Sequence, residues 1–345
     1  MTRTAHPGRR IPPPLVAAPG AAVARRAKLA RYARAAYLLP ALVYVLFAFA
    51  LPIAYNLILS FELTSPATIA DLWAPFAGLA NYKATLLQPV TDSIIARTFI
   101  FTVLSLLFQF VIGFGLALLF CQRFPFRRLA RSLIIIPWLL PLLITGFTFR
   151  FLFQLEGGAV NQILLDLHLI SHPIGFLVSP GWAFASVLVA NIWIGIPFFT
   201  VLLFSALQDV PAELTEAAML DGAGAWQRLT RVTLPVIRPV IEVVLVLGFV
   251  FTVKVFDLVI ALTQGGPANS TQILAPWAYN LSFQQFDYGA GAALNTVLLA
   301  IAMLAAPMYV WLNRETLWEA TVSGAPRRRR TVAGAGNGLT PRETR

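Results

Sequence analysis

Between Tyr37 and Leu312 the chain reads as long apolar stretches separated by short polar ones. A hydrocarbon core about 30 Å thick is crossed by roughly 20 apolar helical residues. Six stretches are long enough, and they predict membrane-spanning helices near 37–60, 97–120, 131–154, 182–207, 239–262 and 291–312. Prolines fall within several of them: Pro40 and Pro52, Pro137 and Pro141, Pro197, Pro307. Each frees a backbone carbonyl and predicts a bend. The first span reads as a signal anchor rather than a cleaved leader. Its apolar run exceeds a typical signal core, and no small-residue cleavage site follows.

Composition agrees with a bilayer as solvent. Apolar residues make up 58% of the 345, and charged residues only 12%, against about 25% charged in soluble domains. A single cysteine, Cys121, excludes an internal disulfide framework and a cysteine-rich metal site. Three scattered histidines predict no metal cluster.

The net charge of +11 raises the question of nucleic acid, and its distribution argues against it. Eight of the 26 Lys/Arg residues lie in 1–36 and seven from Arg314 onward. Four more fall in "CQRFPFRRLAR", and Arg228, Arg231 and Arg238 cluster in another short segment. No aromatic-and-basic alternation suggests a stacking groove. Positive residues stay on the cytoplasmic side of short loops. The basic segments 1–36, 121–131, 208–238 and 313–345 share one side if six spans alternate. That predicts both termini in the cytoplasm. Residues 1–36 are expected to form a disordered or lipid-surface tail, 37–312 the six-span domain, and 313–345 a second disordered tail.

One polar interruption has an unusual composition. "EAAMLDGAGAWQRLTRVTLP", residues 216–235, lies within the loop 209–238, between the fourth and fifth apolar stretches. Pro211 suits the first turn of a short helix reaching about Asp221, which Gly222 and Gly224 would end. Leu214, Ala217 and Ala218 would then share a face. A second short helix over "AWQRLTRV" would be stopped by Pro235. Paired alanines permit close approach, and Glu216 beside them offers a charge to an arginine. The same residues also suit an ordinary solvated loop helix.

The segment resembles the EAA loop of ABC-importer permeases. That pattern is E-A-A, three residues, G, nine residues, I-x-L-P. Here it reads Glu216-Ala217-Ala218, Gly222, then Val232-Thr233-Leu234-Pro235. "FAGLANYKATLL", "NIWIGIPFF" and "FDLVIALTQGGPANST" are similar to the sugar-importer branch (maltose, trehalose and glycerol-phosphate type). The resemblance spans roughly residues 40–312. It implies an all-α membrane protein of six transmembrane helices, with the type I ABC-importer permease fold and a cytoplasmic coupling helix. Glu216, Ala217, Ala218, Asp221, Gly222, Leu234 and Pro235 would dock a separate ATPase. No G-x-x-x-x-G-K-[ST] loop occurs in the chain. The resemblance therefore places ATP and magnesium in that partner, present in two copies, and leaves this chain without catalytic residues or a cofactor. It further implies a second, homologous permease, an extracytoplasmic substrate-binding protein, lipid contact and a bacterial inner-membrane location.

The resemblance also carries over a substrate path. Near "PWLLP" it falls on Trp138 and Leu142, in the fourth span on Asn191, Gly195 and Phe198, and in the fifth on Gly248, Thr252 and Val255. Aromatic faces suit stacked sugar rings, while Asn and Thr can bond hydroxyls. Leu142 and Val255 depart from the family's polar pattern. Trp138 and Phe198 equally suit helix or lipid packing. Lys254 stands out independently, because an ionisable group within a span usually faces the bundle interior. A pair with Asp257, a pair with a neighbouring helix, and contact with solute all remain open. A di- or oligosaccharide is the expected cargo. Glycerol-3-phosphate or a related polyol or phosphodiester is the alternative, and a stand-alone secondary transporter or a scaffold without transport is less favoured.

Overall fold

A computed structural model describes residues 37–64, 66–68 and 74–312. The two basic tails, 1–36 and 313–345, lie outside the described residues. The chain forms two units, Met1–Ile58 and Leu59–Arg345. Among the described residues the chain is almost wholly helical, with a single isolated bridge between Glu62 and Phe76.

The described part of the first unit lies in one apolar helix, α1 (Leu39–Leu59). Pro40 occupies its first turn, where a missing N–H costs nothing. Pro52 falls mid-helix, and the helix widens just before it into a π turn, Leu46–Ala50.

In the second unit the order is α2 (Ala80–Leu86), α3 (Pro89–Cys121), α4 (Arg127–Leu139), α5 (Leu142–Leu152), α6 (Ala159–Asp166) and α7 (Pro180–Gln208). There follow α8 (Ala212–Leu220), α9 (Ala225–Val253), α10 (Asp257–Leu262), α11 (Leu274–Tyr279) and α12 (Tyr288–Leu312). Helix α3 has 33 residues. At 1.5 Å per residue that is about 50 Å, longer than a bilayer core. It starts well before the predicted residue 97 because Pro89 opens it and the helical pattern is unbroken from there.

Helices α3 and α7 form the most extensive pair in the unit. Their buried faces mix large apolar residues with many small or polar ones. On α3 they include Thr98, Thr102, Ser105, Gln109, Gly113 and Ala117, a stripe at helical spacing. This is the pattern of helices meeting in lipid, where the bilayer is as apolar as any side chain and close backbone approach decides the contact. A Cβ at Gly113 would come within 2.6 Å of the Phe199 Cβ. Helix α3 also threads three apolar clusters. Ile94 joins Leu274, Trp277 and Leu294, Phe101 joins Val187, Val255 and Leu258, and Ala117 joins Phe199, Leu203 and Val244.

Two further expected spans differ from the sequence reading. The third, placed at 131–154 as one helix, is a broken pair: α4 and α5 meet at a 99° bend. Leu140 and Pro141 are extended there, with ψ of 133° and 137°. Leu140 precedes a proline, which disfavours helical ψ. The fifth, placed at 239–262, starts at Ala225 and ends at Val253. Phe256, at φ −128° and ψ −61°, separates it from α10. The two short segments that follow the breaks, α5 and α10, pack side by side, with Gly146 against Ala261.

Pro235 does not stop a helix, as the sequence suggests, because α9 runs straight through it. A π turn at Leu229–Thr233 precedes it, and the Leu234 N–H bonds to the Leu229 carbonyl. The same arrangement stands before Pro52, where the Leu51 N–H bonds to the Leu46 carbonyl. A wider turn before proline relieves the ring's clash with the carbonyl four residues back.

Candidate functional site

The two breaks border one cavity of about 350 Å³. That is within the range of roughly 300–1,000 Å³ usual for small-molecule sites. Irregular backbone at membrane depth is tolerated where it is buried in protein or lines a cavity. Trp138 and Leu142 reach it from either side of the first break. Asn191, Gly195 and Phe198 come from α7, spaced so that one helical face presents all three. Gly248 and Thr252 come from α9, and Lys254 and Val255 from the second break. The nine residues expected along the path therefore meet around a single space, although they come from three separate stretches of sequence.

The polar wall is organised by α3. The Asn191 side chain donates to Ser105 Oγ at 2.9 Å, and Gln109 Nε2 donates to the Asn191 carbonyl at 2.8 Å. All three are buried. Gly195 leaves room for Gln109, since a Cβ there would lie 2.2 Å from its Nε2. The apolar wall is aromatic. Phe198 is 5.9 Å from Trp138, 5.7 Å from Phe199 and 5.5 Å from Phe251, ring centroid to ring centroid. Gly248 admits the Phe199 ring, whose Cζ would be 2.6 Å from a Cβ there.

Sequence reasoning missed Gln109, Phe199, Phe251, Phe256 and Asp257 in this lining. Gln109 carried a usable signal, as an amide amid an apolar run. The phenylalanines carried none, because lipid-facing phenylalanines look the same in sequence. Of the readings open for Lys254, neither a pair with Asp257 nor an ion pair with a neighbouring helix is formed, and the single ion pair among the described residues is Arg238–Glu242 at 2.7 Å. Lys254 ends α9 and Asp257 opens α10, so the continuous helix that would place them together is absent. The Lys254 ammonium lies 5.7 Å from the Phe251 ring centroid.

The second region is α8 with its exit turn. Glu216, Ala217, Asp221 and Gly222 are exposed and Ala218 is half-buried. Gly222 has φ +78°. Its N–H bonds to the Met219 carbonyl and that of Ala223 to the Ala218 carbonyl, which is the paired closure of a glycine-ended helix. Gly224, also expected to end the helix, instead caps α9, where the Gln227 side chain accepts its N–H at 3.0 Å. Leu234 is half-buried and Pro235 exposed, both inside α9. Leu220 is 90% exposed and Trp226 74%, so α8 and the start of α9 present uncovered apolar side chains beside Glu216. Neither of the two was picked out from sequence.

Comparison with known proteins agrees with this architecture. The family described as binding-protein-dependent transport system inner membrane component matches residues 109–317. The trehalose/maltose transport system permease protein of Thermococcus litoralis is 32% identical over 240 residues, covering 70% of this chain and 80% of that protein. The sulfoquinovosyl glycerol transport system permease protein of Agrobacterium fabrum is 33% identical, covering 76% and 83% respectively. Among solved structures, a chain of a bacterial ABC transporter that imports the acidic polysaccharide alginate aligns with TM-score 0.68 and 25% identity, over 81% of this chain and 95% of that one.

Proposed function

The chain belongs to the family of binding-protein-dependent transport system inner membrane components, and from that premise we propose that it is the sugar permease subunit of an ABC importer, forming half of the pathway. The observation that carries the reading is the cavity at two helix breaks, walled by the Gln109 and Asn191 amides on one side and aromatic rings on the other. The relatives act on trehalose/maltose and on a sulfoquinovosyl glycerol, which favours a sugar over glycerol-3-phosphate. Family membership argues against a stand-alone secondary transporter.

In this reading α8 is the coupling helix. Glu216 meets a cationic group of a separate ATPase, Ala217 and Ala218 let its surface approach, and Leu220 and Trp226 supply apolar contact. ATP and magnesium are handled by two copies of that partner. A second, homologous permease completes the pathway, and an extracytoplasmic binding protein delivers the sugar. Both termini face the cytoplasm in this arrangement, as do α8 and the basic loop before α4.

The test is ATP-driven uptake of a panel of radiolabelled di- and oligosaccharides by proteoliposomes holding the complete assembly. Uptake of at least one sugar, abolished by Gly195→Leu, is the expected result, because a leucine there would fill the cavity. Failure of the active assembly to take up any sugar would overturn the reading.

A further inference from the structure

Two charged side chains face the cavity. Lys254 and Asp257 both line it and both are exposed. Among the described residues neither forms an ion pair. The rest of the lining is uncharged. On a continuous helix, residues three apart are neighbours. Here Val255 and the non-helical Phe256 stand between the end of one helix and the start of the next. The break therefore keeps the two charges unpaired and turned to the same space.

We propose that Lys254 and Asp257 together select a neutral, hydroxyl-rich sugar over an anionic one. This rests on the sugar-permease reading above. An ammonium donates to sugar oxygens and a carboxylate accepts from sugar hydroxyls, and such charge-assisted bonds are roughly twice as strong as neutral ones. A neutral sugar satisfies both charges at once, as donor to Asp257 and acceptor from Lys254. An anionic sugar satisfies Lys254 but sets a second negative charge beside Asp257. Between apolar walls that repulsion is screened less than in water. A ligand of net charge zero fits a lining of net charge zero. The Trp138 and Phe198 rings, 5.9 Å apart, offer the faces on which a sugar ring stacks.

The experiment uses the assembled importer in lipid nanodiscs, without the binding protein, so that only the membrane site is read. Equilibrium dialysis compares radiolabelled maltose and trehalose with their 6-uronates. Wild type is expected to hold the neutral probes about tenfold more tightly than the uronates. Lys254→Met should weaken the neutral probes about tenfold, as for a lost bond to a charged group, and Lys254→Arg should restore much of the loss. Asp257→Asn should raise uronate binding and shrink the preference. It is isosteric, so it stays informative if Lys254→Met disturbs assembly, which co-elution with the ATPase checks. Equal wild-type affinity for sugar and uronate, or variants that bind both probes as wild type does, overturns this proposal and leaves the sugar path standing. A wild-type assembly that hydrolyses ATP but binds neither sugar nor uronate overturns the sugar path and this proposal together.

Discussion

At the scale of the residue, three glycines do different work, and their substitutions separate it. Gly113 faces backbone: beyond the Phe199 Cβ, an added Cβ would lie 3.2 Å from the Thr200 N. Nothing there can swing aside, so Gly113→Ala should push α3 from α7 and lower the stability of the purified assembly by about 1–3 kcal/mol. Thermal unfolding in detergent measures this. Gly195 faces the far end of Gln109, which can rotate away. Gly195→Ala should cost only the Gln109–Asn191 hydrogen bond, about 1 kcal/mol, yet reshape the polar wall of the cavity. Its signature is a changed sugar affinity with a nearly unchanged melting temperature. Equal destabilisation by the two variants would contradict the distinction. Gly222 meets no neighbour within 4 Å, so a side chain there costs through its φ of +78° alone. Gly222→Val should destabilise the exit turn of α8 by roughly 1–2 kcal/mol or more and misplace the helix, reducing ATPase retention while membrane insertion stays normal.

At the scale of the element, proline has two outcomes. Where proline follows a π turn, at Pro52 and Pro235, the helix continues. Where proline follows an extended residue, at Pro141, it breaks. The difference lies in the backbone before the proline and not in the proline itself, since Pro197, Pro239 and Pro307 also lie inside continuous helices. The second break needs no proline, and it falls where a lysine and an aspartate bracket Val255 and Phe256. Helix α8 is a separate nine-residue element that ends on exposed Leu220, is closed by Gly222 and is followed by exposed Trp226. Its proposed role depends on the Glu216 carboxylate, which is exposed. Removing one member of a charge pair at an interface costs about 2–5 kcal/mol. Glu216→Ala should therefore lose the ATPase during purification, or lose transport while the isolated ATPase stays active. Normal transport with full ATPase retention would leave α8 an ordinary loop helix.

At the scale of the whole molecule, the proposed orientation and pairing make one joint prediction. A reporter fused after Gly158 should be active outside the cytoplasm and one fused after Gly222 inside it. Between these points lies one long apolar helix, α7. Co-expression with the second, homologous permease should give an assembly with one copy of each. A transport-competent assembly containing only this chain and the ATPase would contradict the pairing, and reversed reporter signals would contradict the orientation.

The sequence alone determined the solvent and the long apolar helices, five among the described residues and a sixth if the bent pair α4–α5 is one span, because burying polar backbone in hydrocarbon leaves little freedom in where they lie. It also determined the exit turn of α8, since Gly222 and its spacing from Ala217 and Ala218 are local chemistry. Family resemblance pointed to residues on three stretches, and they do line one cavity. Tertiary structure decided the rest. Whether Pro141 breaks a helix and Pro235 does not depends on neighbouring turns. The end of α9 at Val253, ahead of the α10 that packs against α5, is marked by no proline or glycine in the sequence. Which phenylalanines face the cavity rather than lipid depends on Gly248 and Gly113 admitting Phe199, contacts between residues 49 and 86 positions apart. Lys254 and Asp257 are three apart in sequence, a spacing that leaves both a pair and solute contact open. Only the break between their helices leaves both charges facing the same space.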